Sequence, residues 1–457
     1  MPAASQFQRP PLETKKRVLL IANDFPPIGG GGVQRPFYFA KWLGEFGWQP
    51  LVLTVKDVAY RTKDPTLLDE LPATARVLRT ESLELRRLLW LAHRLVARRN
   101  RAAAGPAAAQ AAVGADVRSV HRDLARGIRR WLFVPDDRLL WAPFAVPRGI
   151  HAIKKYGASA ILATVPCYSS GVIGQLLSRF TGLPLVLDLR DPWTQDPYLP
   201  SPTPLHAWLN KKLEASTVAR AARVVVISEE MRKRFCSAYP GMPRQKLVTI
   251  TNGYDAEELA SAAPVDTGGK FVVVYSGSLF AHHRLAFRAF CRAWSELAAR
   301  DPQFASAAEL WLVGKSDPEI RDELAAWPAV KTTTSGYRPH AEALRHLRSA
   351  SALLLLIKNL DPERDLVTIP GKLFEYLGCG SPILMIGPEG DAADIVRSAG
   401  GLVHREQDLK RITAGLNNLY KRYLSGARPA VAKEVATRYD RKNIAGRLAA
   451  ELDRLVD

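Results

Sequence analysis

Thirteen short runs rich in Val, Ile and Leu punctuate the chain, separated by longer stretches with helical spacing. The first half carries "RVLLIA" (17–22), "PLVLTV" (50–55), "ARVL" (75–78), "SAILAT" (159–164), "PLVLDL" (184–189), "RVVVIS" (223–228) and "KLVTIT" (246–251). The second half begins the pattern again with "KFVVVYSG" (270–277), "ELWLVG" (309–314), "VKTTT" (330–334), "SALLLLI" (351–357), "SPILMIG" (381–387) and "GGLV" (400–403). A near-continuous apolar run suits a strand covered on both faces, and parallel strands need a crossover, usually a helix, between them. The pattern therefore predicts parallel sheets sandwiched by helices, in an α/β fold of two doubly wound domains. The length of 457 residues agrees with more than one core.

Small and polar residues in "ASAAPVDTGGK" (260–270) mark the expected linker. The expected boundaries are 17–260 for the first domain and 270–425 for the second, with a helical segment at 426–457 packing back toward the first. In a doubly wound sheet, ligands bind outside the carboxyl ends of the strands, so a cleft facing both sets of ends is expected.

Composition bounds the chemistry. Four scattered cysteines, Cys167, Cys236, Cys291 and Cys379, form no C-x-x-C pair and stand near no histidine at metal-ligand spacing. A reduced, cytoplasmic and metal-free protein is expected. The longest apolar stretch, "ALLLLI" at 352–357, is far short of a membrane span. The net charge of +19 is concentrated: residues 76–155 hold 17 Lys/Arg against 6 Asp/Glu. Within an insertion at about 80–134, Val117, Val120, Leu124, Ile128 and Trp131 recur at helical spacing among arginines. Three readings follow: helices packed on the domain with solvated arginines, a surface resting on anionic lipid at the inner face of the membrane, or nucleic-acid binding. No zinc-finger, RNA-recognition or helix-turn-helix pattern accompanies the charge, so no nucleic acid partner is expected.

Several stretches fall at strand ends, where chemistry is expected. Gly29, Gly30, Gly31 and Gly32 follow the first strand and precede a helix with Phe37, Ala40, Leu43 and Phe46 spaced by three. Free amides at a helix start suit a phosphate, but a plain turn fits the residues equally. They match neither a P-loop nor G-x-G-x-x-G. Asp188, Arg190 and Asp191 end the strand in "LVLDLRDPW"; they suit orienting hydroxyls or phosphates, or pinning the loop. Gly277 and the cluster His282, His283 and Arg284 open the second domain and suit a diphosphate or an ordinary surface. In "TIPGKLFEYLGCG", Pro370 and Gly371 start a short helix that carries Lys372 and Glu375. Lys372 opposes the helix dipole, which a bound anion would relieve, and Glu375 one turn later suits a vicinal diol such as ribose. A surface ion pair between the two is the alternative.

Taken in order, "FPPIGGGGVQR", "DLRDPW", "VVVISEEMRKRF", "ITNGYD", "VVVYSGSL" and "IPGKLFEYLGCGSPIL" resemble glycosyltransferase family 4 over about residues 17–425. The resemblance implies the GT-B architecture, two Rossmann-like domains facing across a cleft. It implies a transferase that moves a sugar, with retention, from a nucleotide-sugar donor, UDP- or GDP-linked, to a saccharide or lipid-linked saccharide acceptor, in polysaccharide or glycoconjugate biosynthesis. No cofactor and no metal are implied.

Residue by residue, the resemblance makes Gly29 to Gly32 the loop facing the donor phosphates and Glu375 the ribose ligand. Lys372, after Pro370 and Gly371, lies near the diphosphate or the donor sugar. Gly277 and Arg284 are assigned to the diphosphate, and Arg190 and Asp191 to the catalytic pair that orients the acceptor. The chain departs from the family in having Val367 where the first glutamate of Glu-x7-Glu falls, and Arg190-Asp191 where His-Asp is common. A sugar-nucleotide 2-epimerase and a non-catalytic nucleotide-sugar binder share the architecture.

Overall fold

The computed structural model describes residues 16–29, 31–56, 66–83, 131–194, 201–358, 369–426 and 431–457. They form two compact units. Gly30, Val367 and most of the basic insertion at 80–134 lie outside the described residues.

The first unit comprises the chain to Val226, with Gly241–Val248 and Ala445–Asp457. Its sheet holds β1 (Lys16–Ile21), β2 (Trp48–Val55), β3 (Arg76–Thr80), β4 (Ala160–Val165), β5 (Leu185–Leu189), β6 (Arg223–Val226) and β7 (Leu247–Thr249) in the order 3-2-1-4-5-6-7. The pairings of β1 through β6 are parallel. Every residue of β4 and β5 is buried, as expected for strands covered on both faces. Residues 445–457 pack on this unit: Trp48 Nε1 donates to Asp453 at 3.0 Å and Arg223 pairs with Glu451 at 3.0 Å.

The second unit comprises Ile227–Pro240 and Thr249–Ile444. Its sheet holds β8 (Phe271–Ser276), β9 (Ala308–Val313), β10 (Thr332–Gly336), β11 (Ala352–Leu356), β12 (Ile383–Ile386) and β13 (Leu402–His404), in the order 10-9-8-11-12-13, all parallel. Renumbered from its own first strand this is 3-2-1-4-5-6, the Rossmann order, which the first sheet shares and extends by one strand. The fold is thus the GT-B class of two doubly wound domains.

Each apolar run read from the sequence is a strand. Contacts group the chain with the second unit from Thr249 onward, ahead of the 260–270 segment, because the helix Ala256–Ser261 packs there. A Cβ on Gly378 would lie 2.5 Å from the Tyr254 ring, so only glycine lets its helix approach this closely. The helix after the glycines also differs in detail. It is α-helical over Gly31–Trp42 and tightens to a 3-10 turn over Leu43–Phe46, ended by Gly47 at φ +82°.

Candidate functional site

In a sheet of Rossmann order the crevice opens where the strand order reverses, between the first and fourth strands. In the second unit these are β8 and β11. Gly277 follows β8 at φ +98°, and a Cβ there would stand 3.1 Å from Lys372 Nζ. Gly314, at φ +144°, could not carry a Cβ either, since it would fall 2.2 Å from the Gly277 carbonyl oxygen. Gly277 thus leaves room for Lys372, and Gly314 lets its own turn pack against Gly277.

Lys372 stands in the first turn of the helix Gly371–Cys379, whose N-cap Pro370 offers no side-chain hydrogen bond. Its ammonium donates to Tyr275 Oη at 2.7 Å and lies 4.0 Å from the centre of that ring. Burial lowers its pKa to about 8, against the opposing pull of Glu375. His283 belongs to the same electrostatic neighbourhood: burial, then His282 and Lys372, push it down to about 4. Burial thus strips charge from two basic groups at one desolvated spot, and an anionic ligand bound there would favour the protonated form of both.

Arg284 is differently engaged. Its Nε donates to Glu323 at 2.9 Å, and Arg288 donates to the same carboxylate at 2.7 Å. Glu323 is held down at about 2, chiefly by the hydrogen bond from Arg288. The basic residue that the structure couples to Lys372 is His283.

Glu375, one turn after Lys372, faces a crevice lined by Tyr254, Asp255, Glu258, His340 and Arg441. His340 Nε2 lies 3.9 Å from Glu375 and 3.3 Å from Glu258. Burial raises the Glu375 pKa, with His340 and Arg441 opposing. Sequence spacing finds Lys372 and Glu375 because they share one helix. Tyr275, Glu258 and His340 carry no such signal, since only the fold brings them there.

In the first unit, β1 and β4 flank the reversal. The helix Gly31–Trp42 starts at the glycines; a Cβ on Gly31 would meet nothing within 4 Å, and one on Gly32 would lie 3.5 Å from Asp24 Oδ2. Pro36 sits inside this helix. Having no N–H, it cannot donate to the carbonyl of residue 32, four positions earlier. Arg190 supplies the missing donor: its Nη1 donates to the Gly32 carbonyl and its Nε to that of Val165 at 2.9 Å. Arg190 is buried, and burial lowers its pKa against the pull of Asp188 and Asp191. Asp188 accepts from both Arg35 Nε (3.0 Å) and Nη2 (2.8 Å), with Thr164 Oγ1 at 2.8 Å. Of the two open readings for this stretch, Arg190 performs the pinning, while Asp191 stays exposed at the strand end.

The pairing of Arg190 with Pro36 has a measurable consequence. Arg190→Met should destabilise the first unit by about 1.5–3 kcal/mol, the range for a hydrogen bond from a charged donor. In a Pro36→Ala background, which restores the helix N–H, the same change should cost clearly less in a denaturation cycle. Additive losses would show that the two residues do not serve one carbonyl.

Other charged groups here escaped sequence reading. Arg138 Nη1 pairs with Asp24 at 3.0 Å, and Asp136 accepts from the amides of Arg138 and Ser169. Burial holds the Asp136 carboxyl above its usual range and the Cys167 thiol well above its own, so the thiol is un-ionised. Among the described residues no group of three or more His, Cys, Asp or Glu is arranged to hold a metal ion, and no helix is long and apolar enough to cross a membrane.

Comparison with known proteins bears on both halves of the chain. The pattern of Glycosyltransferase Family 4 matches residues 101–258, and that of Glycosyl transferases group 1 matches residues 270–422. Curated protein sequences give no significant match. Among solved structures, HepE of Anabaena in complex with UDP is similar at TM-score 0.59 and 16% identity, over 96% of this chain and 100% of that one. A glycosyltransferase of Rickettsia africae is similar at 0.59 and 13%, over 96% and 98%. A putative UDP-N-acetylglucosamine 2-epimerase of Listeria monocytogenes follows at 0.51 and 12%, over 96% of each. At these identities the structures speak for the fold, whereas the two matched patterns speak for the family. With one pattern matched in each half of the chain, on two sheets of Rossmann order, the chain belongs to the family 4 glycosyltransferases.

Proposed function

We propose that the protein transfers a sugar, with retention, from a nucleoside-diphosphate sugar to a saccharide or lipid-linked saccharide acceptor. The observation that carries this reading is Lys372, half-buried between Tyr275 and the Gly277 turn, with Glu375 one turn away on the same helix. Departure of the sugar leaves negative charge on a nucleoside diphosphate. The catalytic need is a preorganised positive site, which Lys372 and the uncapped N-terminus at Gly371 would provide, with the neutral His283 imidazole available as a hydrogen-bond donor. Glu375 would accept hydrogen bonds from the ribose hydroxyls. Asp191 would orient the acceptor hydroxyl, with Arg190 acting through the shape of the glycine turn. Gly29 to Gly32 would offer backbone amides to the donor phosphates.

UDP is the first donor base to test, since HepE binds it, and GDP the second. In a thermal-shift panel of UDP, GDP, ADP and CDP, one nucleotide should stabilise the protein by about 2.7 kcal/mol at a hundred times its Kd. No shift with any of the four would defeat the nucleotide-sugar reading. Turnover of the nucleotide sugar without an acceptor would favour the epimerase instead, and tight binding without any turnover the non-catalytic binder.

A lipid-linked acceptor would bring the enzyme to an anionic membrane surface. Trp131, Leu132, Leu205 and Trp208 are each more than half exposed. His206 joins them, contacting the Trp131 carbonyl at 3.0 Å, and Lys212 lies over the Trp208 ring. Exposed tryptophans, one of them beside a lysine, suit the boundary between headgroup and acyl chain. Co-sedimentation with vesicles containing phosphatidylglycerol should fall with salt and on Trp131→Ala/Trp208→Ala; equal binding to neutral vesicles would count against it.

A further inference from the structure

We propose that His340, held by Glu258, is a positioning residue for nucleotide binding: it keeps the Glu375 carboxylate ionised and aimed at the ribose. The proposal rests on the ribose reading of Glu375. Three separate elements converge to make it. Glu258 lies on the helix Ala256–Ser261, whose N-cap Asp255 accepts from the amides of Glu257 and Glu258. His340 opens the helix His340–Arg348, and Glu375 lies on Gly371–Cys379. The glycine at 378 lets the first and last of these helices meet, and the imidazole stands 3.3 Å from one carboxylate and 3.9 Å from the other.

The physical need is specific. Burial favours the neutral form of Glu375, and a neutral carboxyl offers a diol fewer acceptor sites than a carboxylate. A positive neighbour corrects this. Two carboxylates, Glu258 and Glu375, face one imidazole and the Arg441 guanidinium, so the four groups are neutral together only when His340 carries its proton. The hydrogen bond to Glu258 is the main reason the His340 pKa is raised, with Glu375 adding to it and Arg441 opposing. Asp255 and Tyr254 line the same crevice, and Lys372 acts on Glu375 from one turn away. On its own helix, Glu342 is engaged by Arg338 at 3.2 Å.

The sign of the pH dependence follows. Glu375 ionises as pH rises through its raised pKa, which gives the acid limb of binding. His340 loses its charge as pH rises further, which gives an alkaline limb. Lys372 adds an alkaline limb of its own near pH 8, but only for a ligand with phosphates. Uridine therefore isolates the histidine, and UDP reports both; guanosine and GDP replace them if the panel selects guanine.

Titration calorimetry with uridine should show weakening above the His340 pKa. His340→Gln should weaken binding about tenfold at neutral pH, within the range for one charge-assisted contact, and abolish the alkaline limb. Glu258→Gln should move that limb to lower pH without removing it. Wild-type profiles for both variants, or equal losses at every pH with the limb unmoved, would overturn the proposal. Glu375→Ala with undiminished uridine affinity would refute the ribose reading itself, and the relay with it.

Discussion

Lys372→Met is expected to lower kcat by about 100- to 1000-fold, the scale on which removal of one preorganised donor to a developing negative charge is felt. Methionine keeps most of the side chain's volume and removes the charge, so the corridor beside Gly277 stays filled. Burial lowers the lysine pKa to about 8, which means its charge is costly before a ligand arrives. Stability should accordingly hold or rise in the variant, and a melting curve separates the chemical effect from unfolding. In the wild type, kcat/KM should fall as pH rises through about 8, because the unliganded lysine gives up its proton there. Conversely, binding UDP near that pH should draw a proton from solution, since a diphosphate favours the charged form. Calorimetry in buffers of different ionisation enthalpy reads that uptake. Near wild-type transfer by Lys372→Met would remove Lys372 from the catalytic assignment.

Asp188→Ala should have the largest effect on stability, about 3–5 kcal/mol lost from the first unit, because one member of a buried ion pair is removed while the other stays inside. Asp188 is fully buried and Arg35 nearly so. Arg35 links the helix Gly31–Trp42 to β5 through both oxygens of this carboxylate, and Thr164 of β4 donates to Oδ2 as well. The loss should appear as a lower-temperature calorimetric transition, leaving the second unit's transition in place. The double variant Arg35→Met/Asp188→Leu, which removes both charges, should recover much of it. If Asp188→Ala melts like the wild type, the pair contributes little to the unit.

The inner strands were legible because burial on both faces leaves mostly Val, Ile, Leu and Ala, and such runs can be read without knowing their neighbours; the edge strand β10, TTTSG, owes its place to the alternation instead. Lys372 and Glu375 were legible for a related reason, as a fixed spacing on one helix opened by Pro370-Gly371. What was not legible depends on pairings distant in sequence. Arg284 also pairs with Glu323, 39 residues later, a contact that no local pattern announces. Arg190 and Pro36 form one unit of meaning, a carbonyl whose usual donor is missing and a guanidinium that replaces it, yet each alone suggests something else. His340 gives no signal at all until Glu258 and Glu375 arrive from two other helices.

The return of residues 445–457 to the first unit bears on the order in which the protein is made. Domains generally fold as units, beginning with the N-terminal one during synthesis. Here the Trp48 indole and the Arg223 guanidinium must wait for Asp453 and Glu451, which leave the ribosome only after the whole second unit. A nascent chain stalled after Val248 should therefore hold its first sheet in a looser, protease-sensitive state. Adding a peptide of residues 441–457 in trans should tighten it, so that the timing of one helix, rather than its strength, governs when the first unit closes.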